Sequence, residues 1–359
     1  MTEQATTFQP DWISPPGDSI ADLLEEKAWS QAEFAQRCGY TRKHVSLLIN
    51  GKASITEDTA LKLERVLGST ARFWLVREVQ YRESLARQRE FTALVAQSDW
   101  LKQLPLADML KFGWIRKFSH KGQQVAECLK YFGVSSVAIW NQRYTEPVAA
   151  FRASNKFEKE GAAVSTWLRQ GERLASEINC KPFDKAKFIQ TLPVLRALSN
   201  EVEPEIFVPK LTQVCAELGV AVVFVPTPKG CPVSGATRWL APDKAMLMLS
   251  LRHATNDHLW FAFFHEVGHI LLHGKKMLFL EIKNLDDQHE QEADKFASNL
   301  LIPPADAKRL PELEKTYAAV KQFASKLEIP PAIVVGRMQR EQLLAWGQLN
   351  KCKVRYHWH

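Results

Sequence analysis

The sequence predicts a mainly α-helical, multi-domain chain with one small β-sheet, and three observations lead there. Residues 18–86 fall into short amphipathic stretches opened by Asp, Ser or Thr, several of them closed by Gly. Between residues 219 and 251 the apolar period shortens, and Pro and Gly punctuate three brief runs. At 359 residues the chain exceeds one ordinary core, so two or three domains are expected. Charge divides it further: residues 1–90, 91–200 and 201–359 carry net charges of −1, +7 and +1. Those three segments are the expected domains: an N-terminal helical bundle, a helical middle region or linker, and a C-terminal α+β domain ending in helices.

With 46% hydrophobic and 24% charged residues, the composition is globular rather than disordered. The opening MTEQATTFQPDW lacks the basic and apolar parts of a secretory signal, and no run approaches the ~18 apolar residues of a membrane span. The six cysteines include no CxxC pair, which suits a reducing compartment. A soluble, cytoplasmic protein with no membrane partner is expected. The overall charge of +7 invites a polyanion, but the excess sits in the middle segment and speaks to non-specific contacts rather than to fold.

Taken in order, Asp18 is placed to cap a first helix with the stripe Ile20, Leu23 and Leu24. Ser30 caps a second, and Glu33 three residues on completes a capping box. Gly39 breaks the chain. Thr41 caps a third helix with Val45, Leu48 and Ile49 inward, ended by the left-handed pair Asn50-Gly51. A fourth helix runs from Thr56 to Leu67, and a fifth starts at Thr70 with Phe73, Trp74 and Leu75 packed back on the bundle. In the middle segment Trp100, Trp114, Trp140 and Trp167 read as core anchors. AVVFVP (Ala221–Pro226), GATRWL (Gly235–Leu240) and KAMLMLSL (Lys244–Leu251) read as strands. One of the last two is expected at the sheet edge, where an extended peptide could pair with it. A long apolar helix then runs from near Asp257 to a C-cap at Gly274.

Two short helices joined by a Gly-containing turn form the unit that lays a recognition helix in the major groove of DNA. The third helix leaves Arg42, Lys43, His44, Ser46 and Leu47 outside its apolar face. Arg37, Arg42, Lys43 and Lys52 fall between Glu33 and Glu57 with no acid among them, so a local basic face exists where phosphates are felt. The plainer alternative is a bundle used only for dimerisation or partner binding. SQAEFAQRCGYTRKHVSLLINGK resembles the XRE, lambda-repressor-like family, and TARFWLVREVQYR resembles the continuation found in HigA-type antitoxins. The resemblance covers about residues 14–90. It implies double-stranded DNA at the protein's own promoter as a partner, with Gln31 on a phosphate and Arg42, Lys43, His44 and Leu47 toward the bases. Ser46 and Lys52 complete the expected DNA-binding set, and a homodimer through or near this domain is expected.

His265-Glu266-Val267-Gly268-His269 is an HExxH run on the long helix. Spacing i, i+4 puts both imidazoles on one face, where they can share a metal, with Glu266 beside them as a base. A catalytic zinc takes three protein ligands and keeps one open position. In HEQEADKFASNLLIP, Glu290 follows His269 after room for a loop and a returning helix, which makes it the candidate third ligand. Asp294, one turn beyond, can accept from a ligand imidazole, while Glu292 points away from that face. Zinc, or manganese, would polarise a carbonyl and a water, and Glu266 would take up the proton and hand it to the leaving amine. His273, again four residues on, is expected to support the ligands or end the helix rather than join them. His253 and Arg238 are the nearby candidates for stabilising an oxyanion. Cys231 reads as a loop cysteine, and KCKVRYHWH as a surface tail.

FHEVGHILLH, ExEADxFAxxLLIP and IPPAIVVGRMQ resemble the ImmA/IrrE metallopeptidases, themselves similar to thermolysin-like gluzincins. That resemblance covers roughly residues 200–350. It implies a zincin-like fold, a zinc held by His265, His269 and Glu290, and Glu266 as catalytic acid and base. The family more often has Asn where Asp294 stands, so the role of Asp294 follows the gluzincin pattern. The whole resembles HigA-type regulators fused to an ImmA/IrrE domain. This implies a transcriptional regulator with a built-in metalloendopeptidase that cleaves a repressor, a toxin or itself in a stress, prophage or toxin–antitoxin circuit. The alternative is a HigA-like antitoxin whose peptidase fold is a non-proteolytic sensor or a toxin-binding scaffold.

Overall fold

The computed structural model describes residues 13–145, 157–274, 279–282 and 288–357. The opening MTEQATTFQPDW and the closing Trp358 and His359 lie outside the described residues. The chain divides into two compact units, one comprising Met1–Ser98 with His120–Gln123 and the other Asp99–Ser119 with Gln124–His359. Among the described residues no helix is long and apolar enough to cross a membrane.

Five helices build the first unit: α1 (Pro16–Glu26), α2 (Gln31–Cys38), α3 (Arg42–Ile49), α4 (Glu57–Leu67) and α5 (Ala71–Ala96). Ser30, Thr41, Thr56 and Thr70 cap α2 to α5, each side-chain oxygen accepting from the N–H three residues on. Each such cap contributes about 1 kcal/mol. Two expected caps differ. Pro15 precedes α1, and Asp18 instead accepts from the Ser14 hydroxyl at 3.0 Å. Glu33 leaves the capping box half made, because its carboxylate reaches Arg37 at 2.8 Å, one turn on. Asn50 keeps an ordinary φ of −79°, so Gly51 at 63° takes the left-handed turn by itself. Ile20, Phe34, Val45, Leu48, Leu63 and Trp74 form the core. α1 crosses the end of α3 so closely that a Cβ on Gly17 would collide with the Ile49 carbonyl. Of the aromatic triplet, Trp74 is buried, but Phe73 faces outward at 40% exposure because it sits about 100° around the helix.

Beyond α5 the chain runs through α6 (Leu106–Lys111), α7 (Lys121–Phe132), α8 (Val137–Trp140), α9 (Phe157–Glu177), α10 (Lys185–Ala197) and α11 (Pro204–Ala216). The strands β1 (Val220–Phe224), β2 (Val233–Ala241) and β3 (Lys244–Leu249) come next, then α12 (Asn256–Leu272), β4 (Phe279–Ile282) and α13 (Gln288–Leu301). The short α14 (Pro304–Ala307), α15 (Tyr317–Lys326) and α16 (Pro331–Arg340) complete the helices. Trp100, Trp140 and Trp167 are buried as anchors, and Trp114 is half-buried against Tyr131 at 6.3 Å.

The sheet order is β1-β3-β2-β4, with β1 and β3 parallel and the other neighbours antiparallel. β2 and β3 are therefore interior strands, not the expected edge, because β4 pairs along β2 and β1 along β3. One sheet face, with Val220, Val222, Ala245, Leu247 and Leu249, packs in one core with Phe263, Phe264 and Val267 of α12. The other, with Ala221, Val223, Ala236, Met246 and Met248, packs with Ala163, Val164 and Trp167 of α9. Burial on both faces explains why β1 and β3 read as continuous apolar runs rather than alternating ones.

Two expectations about the end of this unit are corrected. α12 stops at Leu272, and His273, in extended conformation, is its C-cap in place of Gly274. The basic tail is structural through Tyr356. Lys353 Nζ meets Asp257 Oδ2 at 2.7 Å with both side chains buried, Arg355 bridges to Thr255, and Tyr356 packs on Phe207. Residues 353–356 thus strap the start of α12. Lys353→Met leaves the Asp257 charge buried and alone, and should lower the denaturation midpoint of this unit by the equivalent of about 3 kcal/mol. Adding Asp257→Asn should recover most of that loss in the same urea titration.

Candidate metal centre and helix-turn-helix face

α12 is apolar on nearly every side and is buried accordingly. The two histidines of its HEVGH run reach the face that meets α13. His265 Nε2 and His269 Nε2 lie 3.0 Å apart, and Glu290 of α13 closes a triangle with oxygens 3.2 Å from the first and 3.3 Å from the second. Tetrahedral ligands about 2.1 Å from an ion stand about 3.4 Å from one another, so this donor set fits a zinc-sized ion almost without rearrangement. Among the described residues, His265, His269 and Glu290 form the group able to hold a metal.

The surroundings favour the protonation states that such a group needs. Burial works against the Glu290 carboxyl, but the two imidazoles outweigh it and hold it down at about 2 in the ion-free chain. Burial pushes His269 toward its neutral form. Asp294 Oδ1 meets His265 Nδ1 at 2.9 Å. Burial also works against the Asp294 carboxyl, yet His265 and Arg340 together keep it below the usual carboxylate range. Arg340 pairs with Asp294 while lying over the Phe261 ring at 4.4 Å. Local spacing gives no sign of this arginine, which arrives from α16.

The Glu266 carboxylate lies against β2. Its Oε2 accepts from the Thr237 hydroxyl at 2.5 Å, and a Cβ on Gly235 would come within 2.5 Å of its Oε1. Gly235 and Thr237, two apart on one strand face, therefore shape the seat of this carboxylate. Arg238 falls on the opposite face, where it pairs with Glu172 of α9, so it is not available to an oxyanion beside the histidines. His253 does border the site: it lines a cavity of about 370 Å³ together with His265, Glu290, Phe261, Arg337 and Trp346. His273 lies against His269, with Nδ1 atoms 2.9 Å apart, and Glu292 is drawn to His273 rather than to the donor triangle. Burial pushes the Cys231 thiol up to about 12, which leaves it a protonated loop cysteine.

In the first unit, Gln31, Arg42, Lys43, Ser46 and Lys52 are exposed, while His44 and Leu47 are half-buried. His44 stands edge-on to Tyr40 at 4.6 Å. The Leu47 carbonyl accepts from the N–H groups of Lys52 and Ala53 at 2.8 and 2.9 Å, which fixes the turn after α3. Asn50, expected from the sequence only as a helix end, donates to the Ser46 carbonyl at 2.7 Å and lies one turn beyond Ser46 on that exposed side. Arg37 pairs with Glu33 and stacks on Trp29 at 4.0 Å, so it adds less free charge than its place in the sequence suggests.

Acid should weaken metal binding through the imidazoles and not through the carboxylate. Neutral imidazoles bind, and burial favours that form of His269, so affinity is full at neutral pH and falls only as pH drops below the ordinary histidine range. Glu290, held at about 2, stays ionised throughout that window. Glu290→Gln removes an anion that favours the imidazolium, so it should weaken zinc in a competition titration and move the break in affinity to lower pH. A break that moved upward would place the titration elsewhere.

Residues 20–74 match the family model described as Helix-turn-helix, and residues 215–339 match that described as IrrE N-terminal-like domain. A curated relative, the uncharacterized HTH-type transcriptional regulator YddM of Escherichia coli, is 40% identical over 60 residues, which are 17% of this chain and 64% of that regulator. A solved structure, that of a proposed antidote protein of a plasmid maintenance system from Nostoc punctiforme, is 34% identical with a TM-score of 0.21, covering 21% of this chain and 87% of that one. The chain thus joins an XRE-type helix-turn-helix domain to an IrrE-like domain of the metallopeptidase type.

Proposed function

We propose that the protein is a DNA-binding transcriptional regulator whose IrrE-like domain is a metal-dependent endopeptidase acting on a protein partner. The observation that carries this reading is the convergence of His265, His269 and Glu290 on one point, with Glu266 next to His265 in the same turn of α12. Zinc, or manganese, bound there would supply Lewis acidity toward a peptide carbonyl and a water. His265 Nε2, His269 Nε2 and a Glu290 oxygen would hold it. Asp294 Oδ1 accepts from His265 Nδ1–H and keeps that imidazole in the binding tautomer. The Glu266 carboxylate takes up a proton and returns it to the leaving amine, while the Thr237 hydroxyl orients it. The substrate is a repressor, a toxin or the chain itself. The exposed Arg42, Lys43, Ser46 and Lys52 support double-stranded DNA at the protein's own promoter as the second partner, bound by a homodimer.

A second reading has its own observation. The Glu266 side chain is fully buried, at 0% exposure, whereas His265 and Glu290 reach the cavity. A base closed off in this way suits a domain that binds metal and a toxin, or senses a ligand, without cleaving.

Glu266→Gln separates the two readings. It should keep zinc while lowering cleavage of a partner encoded by a neighbouring gene by about 10²–10⁴-fold. Cleavage that survives the change would remove Glu266 as the base, and a wild-type chain that holds zinc yet never cleaves favours the scaffold. Separately, Arg42→Ala with Lys43→Ala should abolish the shifted band on the promoter fragment. An unchanged band would move recognition off α3.

A further inference from the structure

We propose that His273 and Glu292 are positioning residues that set the tautomer of the ligand imidazole His269, so that both ligand imidazoles are backed by carboxylates of α13. The inference rests on His265, His269 and Glu290 holding a metal, and does not need proteolysis.

The geometry is a chain of three groups. His273, at the C-cap of α12, has a side chain only 2% exposed. Its Nδ1 is 2.9 Å from His269 Nδ1, and its Nε2 is 3.2 Å from Glu292 Oε2. Glu292 is steadied from one turn back, where Gln288 Nε2 donates to its Oε1 at 2.8 Å. The His289 ring stands edge-on to His273 at 4.7 Å.

Metal binding leaves one arrangement of protons along this chain. A neutral imidazole that gives its Nε2 lone pair to an ion carries its hydrogen on Nδ1. Two Nδ1 atoms 2.9 Å apart can share one hydrogen, so His273 Nδ1 must be bare and must accept. The remaining hydrogen of His273 is then on Nε2, where it donates to the Glu292 carboxylate. Every donor meets an acceptor. The alternative tautomer of His269 would put a hydrogen on Nε2, in the place the ion needs. His265 obtains the same service in one link, directly from Asp294. For His269 the carboxylate stands on the far side of a second imidazole, which explains why Glu292 turns away from the donor triangle and is still tied to it.

The test uses the full-length chain and zinc alone. In ¹H–¹⁵N spectra of the zinc-loaded protein, His269 should be protonated at Nδ1 and His273 at Nε2. A His273 protonated at Nδ1, or at both nitrogens, overturns the proposal. By competition with a chromophoric chelator, His273→Leu should weaken zinc by about 10- to 100-fold, the range for losing an outer partner of a ligand imidazole. His273→Asn, whose Oδ1 can stand where Nδ1 stood and accept from His269, should recover most of that loss. A purely structural histidine predicts asparagine no better than leucine. Should the leucine variant fail to fold, Glu292→Ala at its half-exposed position keeps the test open. It should weaken zinc in the same direction and disturb the His273 resonances, and unchanged affinity and spectra would overturn the relay. A wild-type chain that takes up no zinc would instead defeat the metal reading itself.

Discussion

The close approach of α12 and α13 is the constraint on which the metal-binding group depends. Gly268 lies between the two histidines of HEVGH, and a Cβ there would come 3.1 Å from the Ala293 Cα and 3.3 Å from the Phe296 ring. Two small residues in register let the helices meet closely. Only at that separation does Glu290 fall within 3.3 Å of both imidazoles while Asp294, one turn on, reaches the far nitrogen of His265. A buried cluster of this polarity is costly unless its atoms are paired. Here the pairing is extensive: His265 and His269 each have partners at both ring nitrogens, and α13 supplies three carboxylates to the set. Its helical register is therefore tied to the chemistry of α12 at several points.

The sheet performs a second task by sorting side chains to two faces. β2 alternates Gly235 and Thr237 toward Glu266 with Ala236 and Arg238 toward α9. One strand thereby seats the candidate base on one side and anchors a covering helix through Glu172 on the other. A shift of register by one residue would exchange the two sets, bringing Arg238 against Glu266 and Thr237 against the α9 side of the sheet. Pairing with β3 on one side and β4 on the other holds that register.

Much of this was legible in the sequence wherever the determining contacts are local. The caps at Ser30, Thr41, Thr56 and Thr70 involve neighbours three residues apart, and the paired imidazoles are one turn apart. The order of strands was not legible, because β4 is four residues long and its place beside β2 depends on a partner more than 40 residues earlier. Arg340 on Asp294, Thr237 on Glu266 and Lys353 on Asp257 are likewise contacts between distant segments, and no periodicity announces them. Glu292 shows the limit of helical-wheel reasoning. Its spacing places it away from the donor triangle, but a wheel cannot show that His273 stands there to meet it. Asp18 and Glu33 had suitable spacing for their expected roles, yet Ser14 and Arg37 competed for their carboxylates and won.

The strap from Lys353 to Asp257 also carries a consequence for the order in which the polypeptide is made. Lys353 leaves the ribosome about 100 residues after Asp257, which at roughly 5–20 residues per second is a delay of about 5–20 s. During that interval the HEVGH helix is already synthesised, but the cation that neutralises its first turn is still missing. The helix-turn-helix unit can close as soon as its own helices emerge. The two halves therefore mature at different times on a nascent chain, with the helix-turn-helix half first.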